Sequence, residues 1–224
     1  MTGRIILLRH GQTTSNVTHK LDTRVPGAEL TENGREQAYQ VGLELAEYCG
    51  ARRGSMGRIQ AIVSSVALRA QQTAMIAASA IEEVTDLGHR SAGVDVRWGI
   101  HELQAGIYEM MNDHDAHRAY AEVTFGWFHG DRQATIPDGE NLDGILARYQ
   151  PVLEELAETH TDGDAIVVSH GGIIRVAATH ATGTDAQYAM DSYLPNCRFI
   201  TLVPNGRPFG QWELERWADY DLPE

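Results

Sequence analysis

Cysteine is scarce in this chain. There are two among 224 residues, Cys49 and Cys197, and no Cys-x-x-Cys pair. That is too few for a disulfide framework or a cysteine-built zinc site, and it suits a reducing compartment. Positive charge is also short: 18 Lys and Arg stand against 31 Asp and Glu, a formal net charge of −13. An acidic surface excludes general binding to nucleic acid or to anionic membranes, both of which need cationic patches. It does not exclude a small anionic substrate, because a few arginines in a pocket dominate locally once charges beyond ~10 Å are screened. No apolar run approaches the ~20 residues of a membrane-spanning helix. From Met1 the chain enters an apolar run past only Gly3 and Arg4, without the leader and cleavage site of a secretory signal. The expectation is a cytoplasmic protein. Repeats, low-complexity tracts and linkers are missing too, so residues 1–224 are read as one domain.

What is present is an alternation of short apolar runs and helical patterns. Ile5–Leu8, Ala61–Val63, Val94–Val96, Ala165–Val168 and Phe199–Val203 are the strand candidates. Several are apolar throughout, as in strands covered on both faces. Between them lie helical stretches: one capped by Thr31 and running through Gly42, Leu45 and Tyr48, an Ala-rich one from Arg69 to Ala80, one from Leu142 to Thr159 with apolar residues near a 3.6 period, and one from Gly172 to Ala181. This order predicts an α/β fold: a three-layer α/β/α sandwich with a mostly parallel central sheet. Residues 107–137 lack clean periodicity but hold Met110, Met111, Phe125, Trp127 and Phe128, and are expected to form a helical or irregular cap. The tail after Pro204 is expected to be irregular.

Ligands of open α/β sheets bind beyond the carboxyl ends of the strands. Arg9-His10-Gly11 follows the first strand and Ser169-His170-Gly171-Gly172 follows the fourth. A third strand end, Ser64-Ser65, leads to Arg69 at the start of a helix, a natural anion site. Two arginines and two histidines on one pocket call for an anion, and phosphate fits. A neutral imidazole can attack phosphorus, and Glu102, shortly after the third strand, is placed to give the leaving oxygen its proton.

These residues carry a resemblance. Arg9-His10-Gly11-Gln12-Thr13-Thr14-Ser15-Asn16 resembles the RHG-x-T-x-x-N signature of the histidine phosphatase superfamily, the phosphoglycerate-mutase-like proteins. Leu30 to Ala38, Ser64 to Ala74, Glu102 to Glu109, Asp138 to Asn141 and Val168 to Gly172 resemble further elements, in the family's order. The resemblance implies that His10 is the nucleophile and forms a phosphohistidine. It implies that Arg9, Arg69 and His170 grip the phosphoryl oxygens, and that Asn16 helps bind phosphate, with Gly11, Gln12, Thr13 and Gly171 around it. It implies that Glu102 is the acid and then the base. It implies no metal and no cofactor, the arginines supplying the charge that Mg²⁺ supplies elsewhere. The implied partner is a small phosphorylated metabolite, and family habit adds a possible homodimer. Met110 departs from a common glycine after Tyr108-Glu109, so the loop beside the acid can differ in shape.

The reading is a metal-independent phosphatase acting on phosphomonoesters. A cofactor-dependent phosphoglycerate mutase is the first alternative; Glu102-Leu103-Gln104-Ala105-Gly106 lacks the Glu-Arg-x-Tyr-Gly of that branch. A non-catalytic phospho-ligand-binding module is the second. Glu109 stays open as a rival to Glu102 for the proton. Ser64-Ser65 reads as a strand-end turn, since no G-x-S-x-G surrounds it. His114 and His117, with Asp113 and Asp115, read as a solvated helix face in preference to metal ligands.

Overall fold

The computed structural model describes residues 2–88 and 91–223. Its frame is a six-stranded sheet: β1 (Arg4–Arg9), β2 (Ile59–Ser65), β3 (Val94–Arg97), β4 (Asp164–Ser169), β5 (Phe199–Val203) and β6 (Glu213–Trp217), in the spatial order β3-β2-β4-β1-β5-β6. β1 to β4 are mutually parallel, and β5 runs antiparallel to β1 and to β6. Because β2 and β1 flank β4, the three carboxyl ends that carry Arg69, His10 and His170 are neighbours.

Seven helices were found among the described residues: α1 (Thr14–Val17), α2 (Glu32–Tyr48), α3 (Leu68–Thr85), α4 (His114–Phe128), α5 (Leu142–Thr159), α6 (Gly171–Thr182) and α7 (Ala186–Asp191). The unbroken apolar run of β1 is explained by its two faces. Ile5 and Leu7 join a core shared with α5 and α6, while Ile6 and Leu8 join one shared with α2 and α3. Successive strand side chains point to opposite faces, and here both faces are covered by helices. The expected sandwich is therefore present. α2 and α3 approach closely at Gly42, where a Cβ would lie 2.6 Å from the Ala77 carbonyl oxygen.

One expectation is corrected. The tail contains β6, where a register shift against β5 sets Leu214 opposite Leu202 and Trp217 opposite Ile200, so its two apolar residues do not fall on a period of two. It is an edge strand with one apolar side, and its charged residues mask the strand signal. Residues 107–137, expected to be helical or irregular, hold a full helix, α4, whose N-cap Asp113 accepts the Ala116 N–H. Its helical period is blurred because only Ala116, Trp127 and Phe128 along it are buried.

Candidate active site

At the carboxyl ends of β1, β2 and β4 a cavity of about 150 Å³ is lined by Arg9, His10, Thr13, Ser15, Asn16, Lys20, Leu21, Asp22, Thr23, Arg69, Glu102, Tyr120 and Gly172. β1 delivers His10 as the first residue past the strand. Its backbone N–H continues the sheet to the Ser169 carbonyl at 3.0 Å, and the Asn196 side-chain amide binds its carbonyl at 2.9 Å. The turn that follows is tight for a packing reason. A Cβ on Gly11 would fall 2.4 Å from the Gly34 carbonyl oxygen, so α2's first turn can abut the loop only if position 11 is glycine.

His10 Nδ1 lies 2.7 Å from the Gly11 carbonyl oxygen. That contact requires a proton on Nδ1 and leaves the lone pair on Nε2, which faces the Arg69 Nε–H at 3.1 Å. The same Nε–H reaches His170 Nδ1 at 3.2 Å, so His170 carries its proton on Nε2 and donates it to Ser65 Oγ at 2.9 Å. The two imidazoles meet edge to face with centroids 5.1 Å apart. Burial, and then the neighbouring Arg69 and Arg9 charges, hold His10 well below the usual histidine pKa. Burial, Arg69 and His10 do the same to His170. Both rings are therefore neutral near pH 7.

Arg9 donates through Nη1 to the Tyr193 hydroxyl at 2.6 Å and the Leu194 carbonyl at 2.7 Å. Its Nε, and Nη1 of Arg69, are buried donors with no hydrogen-bond partner among the described residues. Two arginines that line one small cavity, each keeping a donor without a partner, favour an anion there. Asn16 accepts the Thr13 N–H and the Asn196 amide through Oδ1 and lines the cavity, with its own amide group available.

Glu102 also lines the cavity. Its carboxylate sits at the N-terminus of α6, accepting from Ile173 and Leu103 N–H at 2.9 Å and from Gly172 N–H at 3.2 Å. Glu109 lies outside the cavity lining. Its oxygens are taken by the Thr23 N–H, the Thr23 hydroxyl and the Arg24 N–H, so it braces the 21–24 loop.

Of the remaining expected residues, Thr13 reaches the cavity as the N-cap of α1. Gly11 and Gln12 do not: their N–H groups go to Thr73 Oγ1 and the Gln37 side chain. Gly171 packs beside the Arg9 side chain, where a Cβ would come within 3.0 Å of Nε. His170 stands behind Arg69, fully buried, with both nitrogens engaged by protein. His117 binds the His19 carbonyl and His114 is exposed; no cluster of three or more metal-ligand side chains was found among the described residues.

Sequence reasoning missed the cavity residues Ser15, Lys20, Leu21, Asp22, Thr23 and Tyr120, the Arg9 support Tyr193, and a clamp on the segment that carries Glu102. Arg148 of α5 donates to the carbonyls of Gly99 at 2.6 Å, His101 at 2.7 Å and Glu102 at 3.1 Å. It is itself held by Glu140 through two bonds of 2.6 and 2.9 Å. Glu140 lies in the Asp138–Asn141 motif, and that was the one signal available for the clamp.

The family model of the histidine phosphatase superfamily (branch 1) matches residues 5–220. The chain belongs to this superfamily. Among its relatives, the metal-independent phosphoserine phosphatase of Arabidopsis thaliana is 32% identical over 221 residues, covering 96% of this chain and 81% of the relative. A probable phosphoglycerate mutase of Erwinia tasmaniensis is 26% identical, covering 96% and 93%. The fold is that of phosphoserine phosphatase from Entamoeba histolytica, whose complex with 3-phosphoglyceric acid superposes with a TM-score of 0.72 at 20% identity, covering 97% and 98%.

Proposed function

We propose that this protein is a metal-independent phosphatase that hydrolyses phosphomonoesters through a phosphohistidine on His10. The observation that carries the reading is the lone pair of a neutral, buried Nε2 set among two arginines with unpaired donors, with a carboxylate on the same small cavity. Nε2 attacks phosphorus and the P–O bond to the leaving group breaks. Glu102 gives that oxygen its proton. Water then attacks the phosphohistidine, Glu102 takes back a proton, and the P–N bond breaks to restore His10. Arg9, Arg69 and Asn16 hold the phosphoryl oxygens as charge spreads over them. His170, bonded to Arg69 Nε, orients that arginine. Thr13 shapes the phosphate end of the cavity.

The substrate class is a small phosphorylated metabolite. Phosphoserine and 3-phosphoglycerate, taken from the names of the relatives, head the screen. Residues 1–224 act as one catalytic domain, with 107–137 contributing Tyr120 to the cavity as its cap. Two free, buried cysteines agree with a cytoplasmic setting.

Hydrolysis of p-nitrophenyl phosphate in EDTA is the first test, wild type beside His10→Ala. Turnover is expected in the wild type, with a loss of at least about 10³-fold in the variant. Turnover that survives His10→Ala overturns the mechanism. The likeness to a probable mutase sustains a second reading. Phosphoglycerate interconversion dependent on a bisphosphate primer, faster than phosphate release, would favour it.

A further inference from the structure

Of the chain's 18 basic side chains all are arginine but one, Lys20, and that single lysine lines the catalytic cavity. Its ammonium has no hydrogen bond or ion pair among the described residues. Asp22, two positions on, does not take it: Asp22 Oδ2 accepts the Ser15 hydroxyl at 2.7 Å and the Ala28 N–H at 2.8 Å. The backbone beneath the lysine is fixed. The Lys20 N–H donates to the Ser15 carbonyl at 2.9 Å, and Leu21 exchanges bonds of 2.9 Å with Met110 and Met111. A ligand that meets this cation therefore has a side chain to order and no loop. Lys20, Ser15 and Asp22 also line an adjoining cavity of about 410 Å³, so Lys20 stands at the margin where the two spaces meet.

We propose that Lys20 is a specificity-determining residue that binds a carboxylate on the leaving alcohol. The proposal rests on the phosphatase reading above and adds a residue that selects the substrate: the site takes phosphate esters of hydroxy acids ahead of those of uncharged alcohols. The argument is a division of labour among cations. Arg9 and Arg69 flank His10, and their forked guanidiniums suit the several oxygens of a phosphoryl group. An ammonium is a compact point charge, and one such charge matches one carboxylate. With the phosphoryl group held around His10, a free cation at the margin of the cavity is left for the part of the substrate that departs. An uncharged sugar or polyol in that place would leave Lys20 without a counter-charge, while a carboxylate supplies one and takes a charge-assisted hydrogen bond.

The test compares 3-phosphoglycerate with glycerol 3-phosphate, which carries a hydroxymethyl group in place of the carboxylate. The quantity read is the ratio of their kcat/KM values in wild type, Lys20→Met and Lys20→Arg. The wild type should prefer 3-phosphoglycerate by about tenfold or more, and Lys20→Met should cut that ratio by about 10- to 100-fold, the worth of a hydrogen bond to a charged group. Lys20→Arg keeps the charge and should keep part of the preference. p-Nitrophenyl phosphate has no carboxylate, so its hydrolysis by the wild type reports on the phosphatase reading alone. If it is not hydrolysed, that reading falls, and Lys20 is tested by calorimetry through the ratio of dissociation constants of the same two compounds. A wild type without preference for 3-phosphoglycerate overturns the proposal. So does a Lys20→Met variant that weakens both compounds equally, which would put Lys20 on the phosphoryl group, or that weakens neither.

Discussion

A histidine set beside two arginines resists a second proton, and this gives His10 its chemistry. The Gly11 carbonyl fixes the tautomer, and burial with the two guanidiniums keeps the ring neutral. The ring is therefore expected to show the Nδ1–H tautomer by ¹⁵N NMR at pH 7, and to keep it as the pH falls through the ~6.5 at which a free histidine titrates. A ring that gains its proton at or above that value contradicts the electrostatic account. His10, Arg9, Arg69 and His170 were legible from the sequence because each lies at a strand end or helix start, where chain order alone fixes the neighbourhood. Tyr193 was not. It reaches Arg9 across 184 positions, and no local pattern announces such a contact.

Glu102 belongs to no strand or helix, and its position depends on elements around it. α6 offers N–H groups to its side chain, and α5 sends Arg148 to three carbonyls of the segment that carries it. Arg148 is not among the residues that line the cavity, so it acts as a positioning residue. Arg148→Met is expected to lower kcat by about 10²-fold, the cost of an ångström-scale misplacement of a reacting group. KM should change by less than about threefold, since the arginines proposed to hold phosphate are untouched. A rise in KM with kcat intact would show that the clamp serves binding instead. At this scale the sequence was clear for the buried strands and for α5, whose bounds match the expected Leu142–Thr159. It was unclear for α4 and β6, which bury little and so carry a weak period.

For the molecule as a whole, the site is a burden on stability at low pH. His10 and His170 have folded pKa values well below the unfolded ~6.5. Between the two values the unfolded chain binds more protons, so stability rises with pH through that window and is complete above it. It is lost as the pH drops below about 6.5, by at most about 1.4 kcal/mol per pH unit for each ring. Urea unfolding of the wild type at pH 5 and 7.5 should show the loss, and His10→Gln should flatten the dependence. Equal flattening by a substitution of exposed His114 would place its origin elsewhere.

The sequence alone determined the α/β order, the strand ends and which charged and imidazole side chains stand at them. These rest on local periodicity and on residues a few positions from a strand end. Only the tertiary structure decided that Glu102 and not Glu109 faces the cavity, and that the N–H groups of Gly11 and Gln12 are already bonded to Thr73 and Gln37. It alone showed that Arg148 holds the segment of Glu102 and that Tyr193 holds Arg9. The physical reason is that hydrogen-bonding capacity is finite. Which donor remains for a ligand depends on every other group packed against it, and residues far apart in the chain settle that.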